Sequence, residues 1–273
     1  MPDATERART ARIVQSRHNA RVKELRRGFA QPGRGERGLV AIEGELLLGE
    51  AVRSGLAAET VFVRSGSEGV LERVAVEAGE VLELPADVFA SAVETESPQG
   101  VAALVAAPRF GVEEIFPKRG AALVLVMAGL QDPGNVGTLI RSAEAFGASG
   151  AVLLPGTANV WNAKAVRASA GSVFRLPVVS MGLEEMLAAL RERGVRLLAA
   201  TADGDLELSG AGLEGSVAVV VGNEGAGVPT EVLAAADARV AIRCPGPVES
   251  LNAGIAGSIL LYEAARQRAG AGR

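Results

Sequence analysis

Residues 121–141 read AALVLVMAGLQDPGNVGTLIR, and they carry the clearest strand-turn-helix pattern of the chain. Its first half is an uninterrupted apolar run, which is typical of a parallel strand that is buried on both faces. After a Pro-Gly turn, five apolar side chains recur at helical spacing: Val136, Leu139, Ile140, Ala143 and Phe146. Asn135 is suited to cap this helix, and Arg141 is predicted to point away from its apolar face. On these residues alone, the stretch also fits a capped helix with a solvated arginine.

Apolar runs alternate with helical patterns from this stretch to the C-terminus. The predicted strands are residues 123–127, 151–154, 196–200, 217–221 and 239–242. The predicted helices are residues 136–146, 161–168, 183–193, 231–236 and 251–268. This alternation predicts an α/β domain with a parallel sheet over residues 121–273. Because ligands of open parallel sheets bind beyond the carboxyl ends of the strands, we expect a site in the loops that follow four of these strands.

A smaller α/β domain is predicted over residues 1–106. Short strand patterns occur at residues 38–42, 59–63, 81–84 and 100–106. Helical patterns fill the intervals at residues 17–27, 46–54, 70–78 and 86–92. Prolines and charged residues then replace this alternation over residues 107–120, which we interpret as a linker. The predicted organisation is therefore a small first domain, a linker and a second domain over residues 121–273.

Charge is distributed unevenly along the chain, whose formal net charge is −4. Residues 1–38 contain ten Arg or Lys and four Asp or Glu, so this arm is positive and the remainder is strongly negative. A basic arm suits contact with phosphates, although a disordered, solvated N-terminus gives the same pattern. The candidate phosphate-binding residues are Arg17, Arg21, Lys23, Arg26 and Arg27. Aromatic residues make up 3 % of the sequence, which disfavours a nucleic-acid binder that relies on base stacking.

The scarcity of cysteine and histidine excludes several kinds of site. Cys244 is the only cysteine, so no intramolecular disulfide and no zinc site with several cysteines can form. His18 is the only histidine, which excludes a Ser-His-Asp triad in the body of the protein and a histidine-rich metal site. No secretion signal is evident, and the longest apolar run, residues 121–130, is too short to cross a bilayer. We therefore expect a cytoplasmic protein that uses no metal.

Two further segments place polar residues after predicted strands. Residues 219–229 read VVVGNEGAGVP, in which a buried strand enters a glycine-rich turn with one carboxylate, Glu224. The order of its glycines differs from the dinucleotide fingerprint, and the chain contains no phosphate loop of the G-K-S/T type. Residues 242–252 read IRCPGPVESLN and precede a long helix that Ser250 or Asn252 is suited to cap. Taken singly, each segment also fits an ordinary turn before a helix.

Together, the three segments resemble the signature motifs of the SpoU (TrmH) family of RNA ribose methyltransferases, within the SPOUT superfamily. The matching residues are Asn135, Gly137 and Arg141 in the first segment, Gly222, Asn223, Glu224 and Gly225 in the second, and Glu249, Ser250, Leu251 and Asn252 in the third. The resemblance covers residues 121–268. Residues 1–106 resemble more weakly the substrate-binding domain that precedes many members. Arg243-Cys244 departs from the family, in which Pro-Met is common at this place.

The resemblance implies a fold, a cofactor and a reaction. The fold is a parallel-sheet domain with a deep trefoil knot, preceded by a small RNA-binding domain, and members act as homodimers. The cofactor is S-adenosylmethionine, with its contacts at Gly222, Ile242, Leu251, Thr201 and Asn223. The reaction is methylation of a ribose 2′-hydroxyl in RNA, with ribosomal RNA favoured over transfer RNA. The residues that the motifs assign to this reaction are Arg141, Asn135, Glu224, Ser250 and Asn252.

Such a methyl transfer requires that the 2′-oxygen be aligned with the methyl group and lose its proton. An arginine side chain stays protonated in proteins, so we interpret Arg141 as the group that positions the ribose and stabilises the developing alkoxide. Two alternatives belong to other classes. A non-catalytic RNA-binding protein of the same fold would not need the complete polar set of the motifs. A nucleotide-dependent dehydrogenase would need a glycine fingerprint that this chain lacks.

Overall fold

The computed structural model describes residues 11–33, 37–247 and 250–271. Glu249 and the first ten residues of the predicted basic arm lie outside these described residues. The chain forms two units, of which the first comprises Met1–Arg109 and Trp161–Phe174 and the second comprises Phe110–Val160 and Arg175–Arg273. Within the described ranges, no helix is both long enough and apolar enough to cross a membrane.

A mixed five-stranded sheet forms the centre of the first unit, in the order β1-β4-β3-β5-β2. Its strands are β1 (Arg12–Ile13), β2 (Leu39–Glu43), β3 (Ala58–Arg64), β4 (Ala78–Leu84) and β5 (Val101–Ala106). β1, β4 and β3 are parallel neighbours, whereas β5 is antiparallel to both β3 and β2. The helices of this part of the chain are α1 (Ala20–Ala30), α2 (Glu45–Arg53), α3 (Gly69–Val74) and α4 (Ala86–Ala90).

A seven-stranded sheet forms the centre of the second unit, in the order β10-β12-β9-β11-β6-β7-β8. Its strands are β6 (Leu123–Ala128), β7 (Gly150–Leu153), β8 (Val178–Ser180), β9 (Arg196–Ala200), β10 (Leu206–Glu207), β11 (Val217–Gly222) and β12 (Ala238–Ala241). All neighbouring pairs are parallel, which confirms the predicted sheet. The remaining helices are α5 (Pro133–Ala145), α6 (Ala163–Ser169), α7 (Leu183–Glu192), α8 (Thr230–Ala235) and α9 (Ala253–Ala271).

Residues 161–174 are organised differently from the prediction, which placed them within an uninterrupted second domain. They belong to the first unit. Ala163 of α6 is 5 % exposed and packs in the apolar core of that unit, together with side chains of α1 and β2. Trp161 and Phe174 stack with their ring centroids 6.3 Å apart. Apolar packing therefore assigns this segment, and an alternation of strands and helices along the chain could not reveal it.

Helix α5 begins earlier than predicted because Asp132, and not Asn135, is its N-cap. The Asp132 carboxylate accepts a hydrogen bond from the Gly134 N–H at 3.0 Å, and Pro133 occupies the first turn, where its missing N–H costs nothing. Asn135 consequently lies inside the first turn, and its side chain is available for a contact outside the helix.

Two other predictions need correction. The helix predicted over residues 70–78 ends at Val74, because Ala75 adopts a left-handed φ of 50° and β4 begins at Ala78. Strands β8 and β10 were not predicted. They contain three and two residues and lie at the two edges of the second sheet, so neither has an apolar run long enough to be recognised.

Small residues allow α9 to pack closely against α5 and β11. A Cβ atom on Gly257 would lie 2.3 Å from Leu139 Cδ2 and 2.9 Å from Val221 Cγ2, so a larger residue cannot fit without displacing the core. The hydroxyl oxygens of Ser142 and Ser258 are 2.7 Å apart across the two helices. Gly257 and Ser258 thus allow α9 to lie close to both α5 and β11.

Arg268 fastens the end of α9 to the amino-terminal edge of the second sheet. Its guanidinium donates hydrogen bonds to the carbonyl oxygens of Ala121, Ala122, Leu213 and Gly215, at 2.7–3.0 Å. Burial lowers the pKa of Arg268 from its ordinary value. The four carbonyl oxygens satisfy the donors of this cation and thereby compensate for its loss of water.

Replacement of Arg268 should destabilise the second unit. We expect Arg268→Met to lower the free energy of unfolding by about 2 kcal/mol, because charge-assisted hydrogen bonds are lost and carbonyl groups are left unpaired. Urea unfolding followed by circular dichroism measures the effect. The matched control is Arg266→Met, whose side chain is 55 % exposed and paired with Glu263, and which should cost less than about 1 kcal/mol. Equal losses in the two variants would contradict this role for Arg268.

Candidate functional site

Loops at the carboxyl ends of β9, β11 and β12 surround a cavity of about 990 Å³ in the second unit. This volume is at the upper end of the range for small-molecule sites. All five predicted cofactor contacts line the cavity: Thr201, Gly222, Asn223, Ile242 and Leu251. Glu224 and Ser250, which were predicted to take part in the reaction, line it as well. The structure therefore brings distant stretches of the sequence to one cavity at the predicted edge of the sheet.

Gly222 ends β11 at a point where the backbone folds back on itself. A Cβ atom at this position would lie 2.3 Å from the Gly227 carbonyl carbon and from the Val228 nitrogen, so the turn requires glycine here. Asn223 stabilises the same turn, since its side-chain oxygen accepts hydrogen bonds from the N–H groups of Gly225 and Ala226, both at 2.9 Å. The glycine-rich segment is thus a rigid wall of the cavity.

Thr201 contributes a polar atom that lacks a partner among the described residues. Its Oγ1 is buried and makes no hydrogen bond with any part of the chain that the structure describes. Buried hydroxyl groups in proteins are nearly always hydrogen-bonded, so this atom is suited to meet a polar group of a ligand in the cavity.

The Glu224 carboxylate joins the glycine-rich turn to the start of α5. Its Oε1 accepts a hydrogen bond from Asn135 Nδ2 at 2.8 Å, and its Oε2 accepts one from the Gln131 N–H at 3.4 Å. Burial by itself would raise the pKa of Glu224, but the hydrogen bonds from Asn135 and from backbone N–H groups outweigh burial and lower it. Glu224 is therefore ionised at neutral pH and holds the 8 % exposed Asn135 in place.

Asn252 lies at the start of α9, next to Asn135. Its side-chain oxygen accepts a hydrogen bond from the Ile255 N–H at 3.2 Å, which confirms it as a helix cap. The side-chain oxygens of Asn135 and Asn252 each lie 3.1 Å from the point that a Gly254 Cβ would occupy. Glycine at this position therefore lets the two amides approach each other from α5 and α9.

Arg141 is exposed on α5 and does not line the cavity of its own chain. Its guanidinium forms no hydrogen bond and no ion pair with the described residues. Of the five residues assigned to the reaction, Glu224 and Ser250 line the cavity. Asn135 is hydrogen-bonded to Glu224, and Asn252 lies beside Asn135. Arg141 faces outward.

Several cavity residues were missed by the motif comparison. They follow β9 and β12, and they are Asp203, Gly204, Arg243 and Cys244. The loop after β9 was expected to border a site because of its place in the sheet, but that signal does not select individual residues. Arg243 forms an ion pair with Glu207 of β10, which closes the rim on this side. Within the described part of the chain, no group of three or more His, Cys, Asp or Glu residues is arranged to hold a metal ion.

The predicted phosphate-binding residues lie at or near α1, which begins after the cap residue Asn19. Three of them have partners in the first unit: Arg17 pairs with Asp87, Arg21 with Glu24 and Glu80, and Arg26 with the Ser91 carbonyl. Lys23 and Arg27 are exposed and make no such contact with described residues. The partners Glu80 and Asp87 could not be recognised from the sequence, because they are far from α1 along the chain, whereas Glu24 lies one turn from Arg21 on the same helix.

The stability contribution of Glu224 should depend on pH. Its pKa is lower in the folded chain than in the unfolded chain. The ionised carboxylate therefore adds stability above the ordinary glutamate pKa, and this contribution is lost as the pH falls through the folded-state value. We expect Glu224→Gln to reduce the melting temperature near neutral pH and to reduce it less near about pH 3. Glu231→Gln, at an exposed position of α8, is the control. A reduction that is independent of pH would contradict the prediction.

Comparison with known families supports the interpretation of the motifs. A model described as the SpoU rRNA Methylase family matches residues 122–262, and a model described as the MRM3-like substrate binding domain matches residues 19–103. The 23S rRNA (guanosine(2553)-2′-O)-methyltransferase RlmP of Bacillus subtilis is 33 % identical over 91 % of this chain and 97 % of its own. The 23S rRNA (guanosine-2′-O-)-methyltransferase RlmB of Xanthomonas campestris pv. campestris is 38 % identical over 63 % of this chain and 72 % of its own.

Solved structures show the same relationship. The SpoU methyltransferase AviRb of Streptomyces viridochromogenes, in complex with AdoMet, is 29 % identical, and the match covers 92 % of this chain and 99 % of AviRb with a TM-score of 0.80. An AdoMet-bound rRNA methyltransferase of Sinorhizobium meliloti is 31 % identical, with coverage of 94 % and 98 % and a TM-score of 0.82. Motifs, sheet order and relatives agree, and the chain belongs to the SpoU rRNA methylase family.

Proposed function

We propose that this chain transfers a methyl group from S-adenosylmethionine to a ribose 2′-hydroxyl of ribosomal RNA in the cytoplasm. The observation that carries the proposal is that the second and third motif segments line one cavity, and that the Asn135–Glu224 hydrogen bond joins the first segment to the second. RlmP and RlmB, which are named as 23S rRNA 2′-O-methyltransferases, support both the reaction and the class of RNA.

The cavity residues fit S-adenosylmethionine. Thr201 offers a buried hydroxyl that has no hydrogen-bond partner among the described residues, and the tight turn at Gly222 leaves no side chain between the ligand and the backbone. We assign the cofactor contacts to Thr201, Gly222, Asn223, Ile242 and Leu251, all of which line the cavity. S-adenosylmethionine, when bound, supplies a methyl group activated by a positively charged sulfur. The AdoMet-bound neighbours from Streptomyces viridochromogenes and Sinorhizobium meliloti support this choice.

We assign to Arg141 the binding of the ribose that is methylated. Its guanidinium presents five N–H donors in a fixed plane and remains protonated, so it suits a ribose-phosphate and a developing 2′-alkoxide. Ser250 and Asn252 lie at the same cavity or beside it and can orient the ribose by hydrogen bonds. Asn135 and the ionised Glu224 keep the first turn of α5 in a fixed position, and Arg141 follows on the same helix. Alignment of this kind lowers the barrier to transfer.

We infer that two copies of the chain associate through α5 and α9. Ile255 and Tyr262 are each 54 % exposed on α9, although both are large and apolar. The Tyr262 ring packs edge-on against Phe146 at the end of α5, with the centroids 5.7 Å apart, so the apolar face extends over both helices. Burial of this face would stabilise a dimer. Since Arg141 does not line the cavity of its own chain, we infer that it serves the cavity of the second copy.

We assign RNA binding to the first unit. Lys23 and Arg27 are one turn apart on α1, exposed, and without acidic partners among the described residues. Such cations bind phosphates without reading the base sequence. Arg17, Arg21 and Arg26 are engaged within the unit and contribute positive charge near them. The match to a substrate binding domain over residues 19–103 supports this assignment.

The path of the C-terminal segment supports the trefoil knot that the family resemblance implies. Strand β12 lies between β9 and β10, toward one edge of the sheet. The chain then returns past the cavity, and α9 packs on α5 and β11 near the centre. We propose that the segment between β12 and α9 passes through a loop formed by earlier parts of the second unit. This threading would form the knot around the cofactor site.

Arg141→Ala tests the proposed function. Labelled S-adenosylmethionine and ribosomal RNA from cells that lack this gene serve as substrates, and 2′-O-methylated positions are mapped afterwards. We expect the variant to lower kcat at least about 100-fold, as for other preorganised donors, while calorimetry shows cofactor affinity within about twofold of wild type. Arg191→Ala, at an exposed position of α7, is the control. Wild-type turnover in Arg141→Ala would refute its role, and no transfer by the wild type would refute the substrate.

A double substitution on α9 tests the dimer. Ile255→Asp with Tyr262→Asp places two charges on the exposed apolar face, so we expect a monomer in sedimentation equilibrium, where the wild type is a dimer. Leu46→Asp is the matched control, because Leu46 is also a large apolar residue, 64 % exposed, but lies on α2 of the first unit. A monomeric wild type, or a double variant that remains dimeric, would show that this face is not the interface.

A further inference from the structure

We propose that Thr157 is a positioning residue for methyl transfer, because its hydroxyl fixes the turn from which α5 and Arg141 extend. Thr157 lies in the loop after β7, outside the three motif segments. Its Oγ1 donates a hydrogen bond to the Met127 carbonyl oxygen at 2.9 Å and accepts one from the Gly129 N–H at 3.0 Å. One side chain thus bridges the end of β6 and the residue that begins the turn. The inference rests on the proposed role of α5.

The peptide groups around Gly129 are held from two sides. Thr157 binds the Gly129 N–H, while Asn223 Nδ2 donates to the Gly129 carbonyl oxygen at 2.8 Å. The next residue is held as well, since the Ala158 N–H donates to the Leu130 carbonyl oxygen at 2.8 Å. The loop after β7 and the loop after β11 therefore clamp the same turn between them.

The turn requires glycine at position 129 because of its backbone conformation and not because of lack of space. Gly129 has a φ of +73°, which side-chain-bearing residues rarely adopt, yet a Cβ atom there would meet no atom within 4 Å. The hydrogen bonds to the Gly129 N–H and carbonyl groups hold this backbone conformation. The Thr157 hydroxyl provides one of the bonds that does so.

The turn leads directly into the groups assigned to the reaction. Gln131 follows Gly129 by two residues and donates its N–H to Glu224, and Asp132 then caps α5. A shift of Gly129 would consequently move the start of the helix that carries Asn135 and Arg141. Neither Gly129 nor Thr157 lines the cofactor cavity. Loss of the hydroxyl should therefore affect turnover and leave cofactor binding intact.

Thr157→Val preserves the shape of the side chain and removes only the hydroxyl, while Thr157→Ser retains the hydroxyl. We expect Thr157→Val to lower kcat about tenfold, a change of the size that one hydrogen bond produces. The KM for S-adenosylmethionine and its calorimetric affinity should stay within about twofold, and the melting temperature should fall by no more than about 4 °C. Thr157→Ser should restore kcat to within about twofold of wild type. Thr230→Val, at an exposed threonine of α8, is the control.

Amide hydrogen exchange over residues 128–134 gives a readout that is independent of turnover. Exchange should be faster in Thr157→Val than in the wild type, and slow again in Thr157→Ser. Wild-type kcat in Thr157→Val, while Arg141→Ala is inactive, would overturn the inference and leave the proposed function intact. A loss of kcat matched by losses of cofactor affinity and melting temperature would also overturn it, because that pattern marks a merely structural role. Full turnover in Arg141→Ala would refute the role of α5 and this inference with it.

Discussion

Direct parallel pairing of β6 with β11 is the constraint on which the site depends. The register aligns Met127 with Val221 and Ala128 with Gly222, so the chain leaves both strands at the same level of the sheet. β9 borders β11 on its other side, and β12 follows β9. Loops from segments that are far apart in sequence therefore emerge along one edge. The hydrogen bond between Asn135 and Glu224 is possible because of this register.

The carboxyl edge of the second sheet is built mainly from backbone turns that are fixed by hydrogen bonds. Few charged side chains contribute to it. Glu224 is held by hydrogen bonds, Gly222 and Gly254 allow close approaches, and the turn at Gly129 is clamped through its peptide groups. A site made in this way can enclose a ligand without large side-chain movements. The guanidinium of Arg141 differs, since it is exposed and makes no hydrogen bond or ion pair with the described residues.

The sequence was sufficient to predict the features that depend on local pattern. The apolar runs identified the five longer strands of the second sheet, and helical spacing placed Arg141 opposite the buried Leu139 and Ile140 of α5. It was insufficient where two suitable residues compete, as when Asp132 and not Asn135 caps α5. Contacts between distant segments were likewise invisible, including the pairing of Arg21 with Glu80 and the hydrogen bonds of Thr157. Such contacts depend on tertiary structure, which a one-dimensional pattern does not contain.

The discontinuity of the first unit has a consequence for biosynthesis. Its core includes Ala163, yet β6, α5 and β7 of the second unit are translated before that residue. A nascent chain that has emerged only through Arg109 still lacks part of the apolar packing that the finished unit contains. Although domains of many proteins fold one after another from the N-terminus, here the first unit can complete its apolar core only after β6, α5 and β7 of the second unit have been synthesised. Residues up to Arg109 therefore cannot form the complete first core by themselves during synthesis.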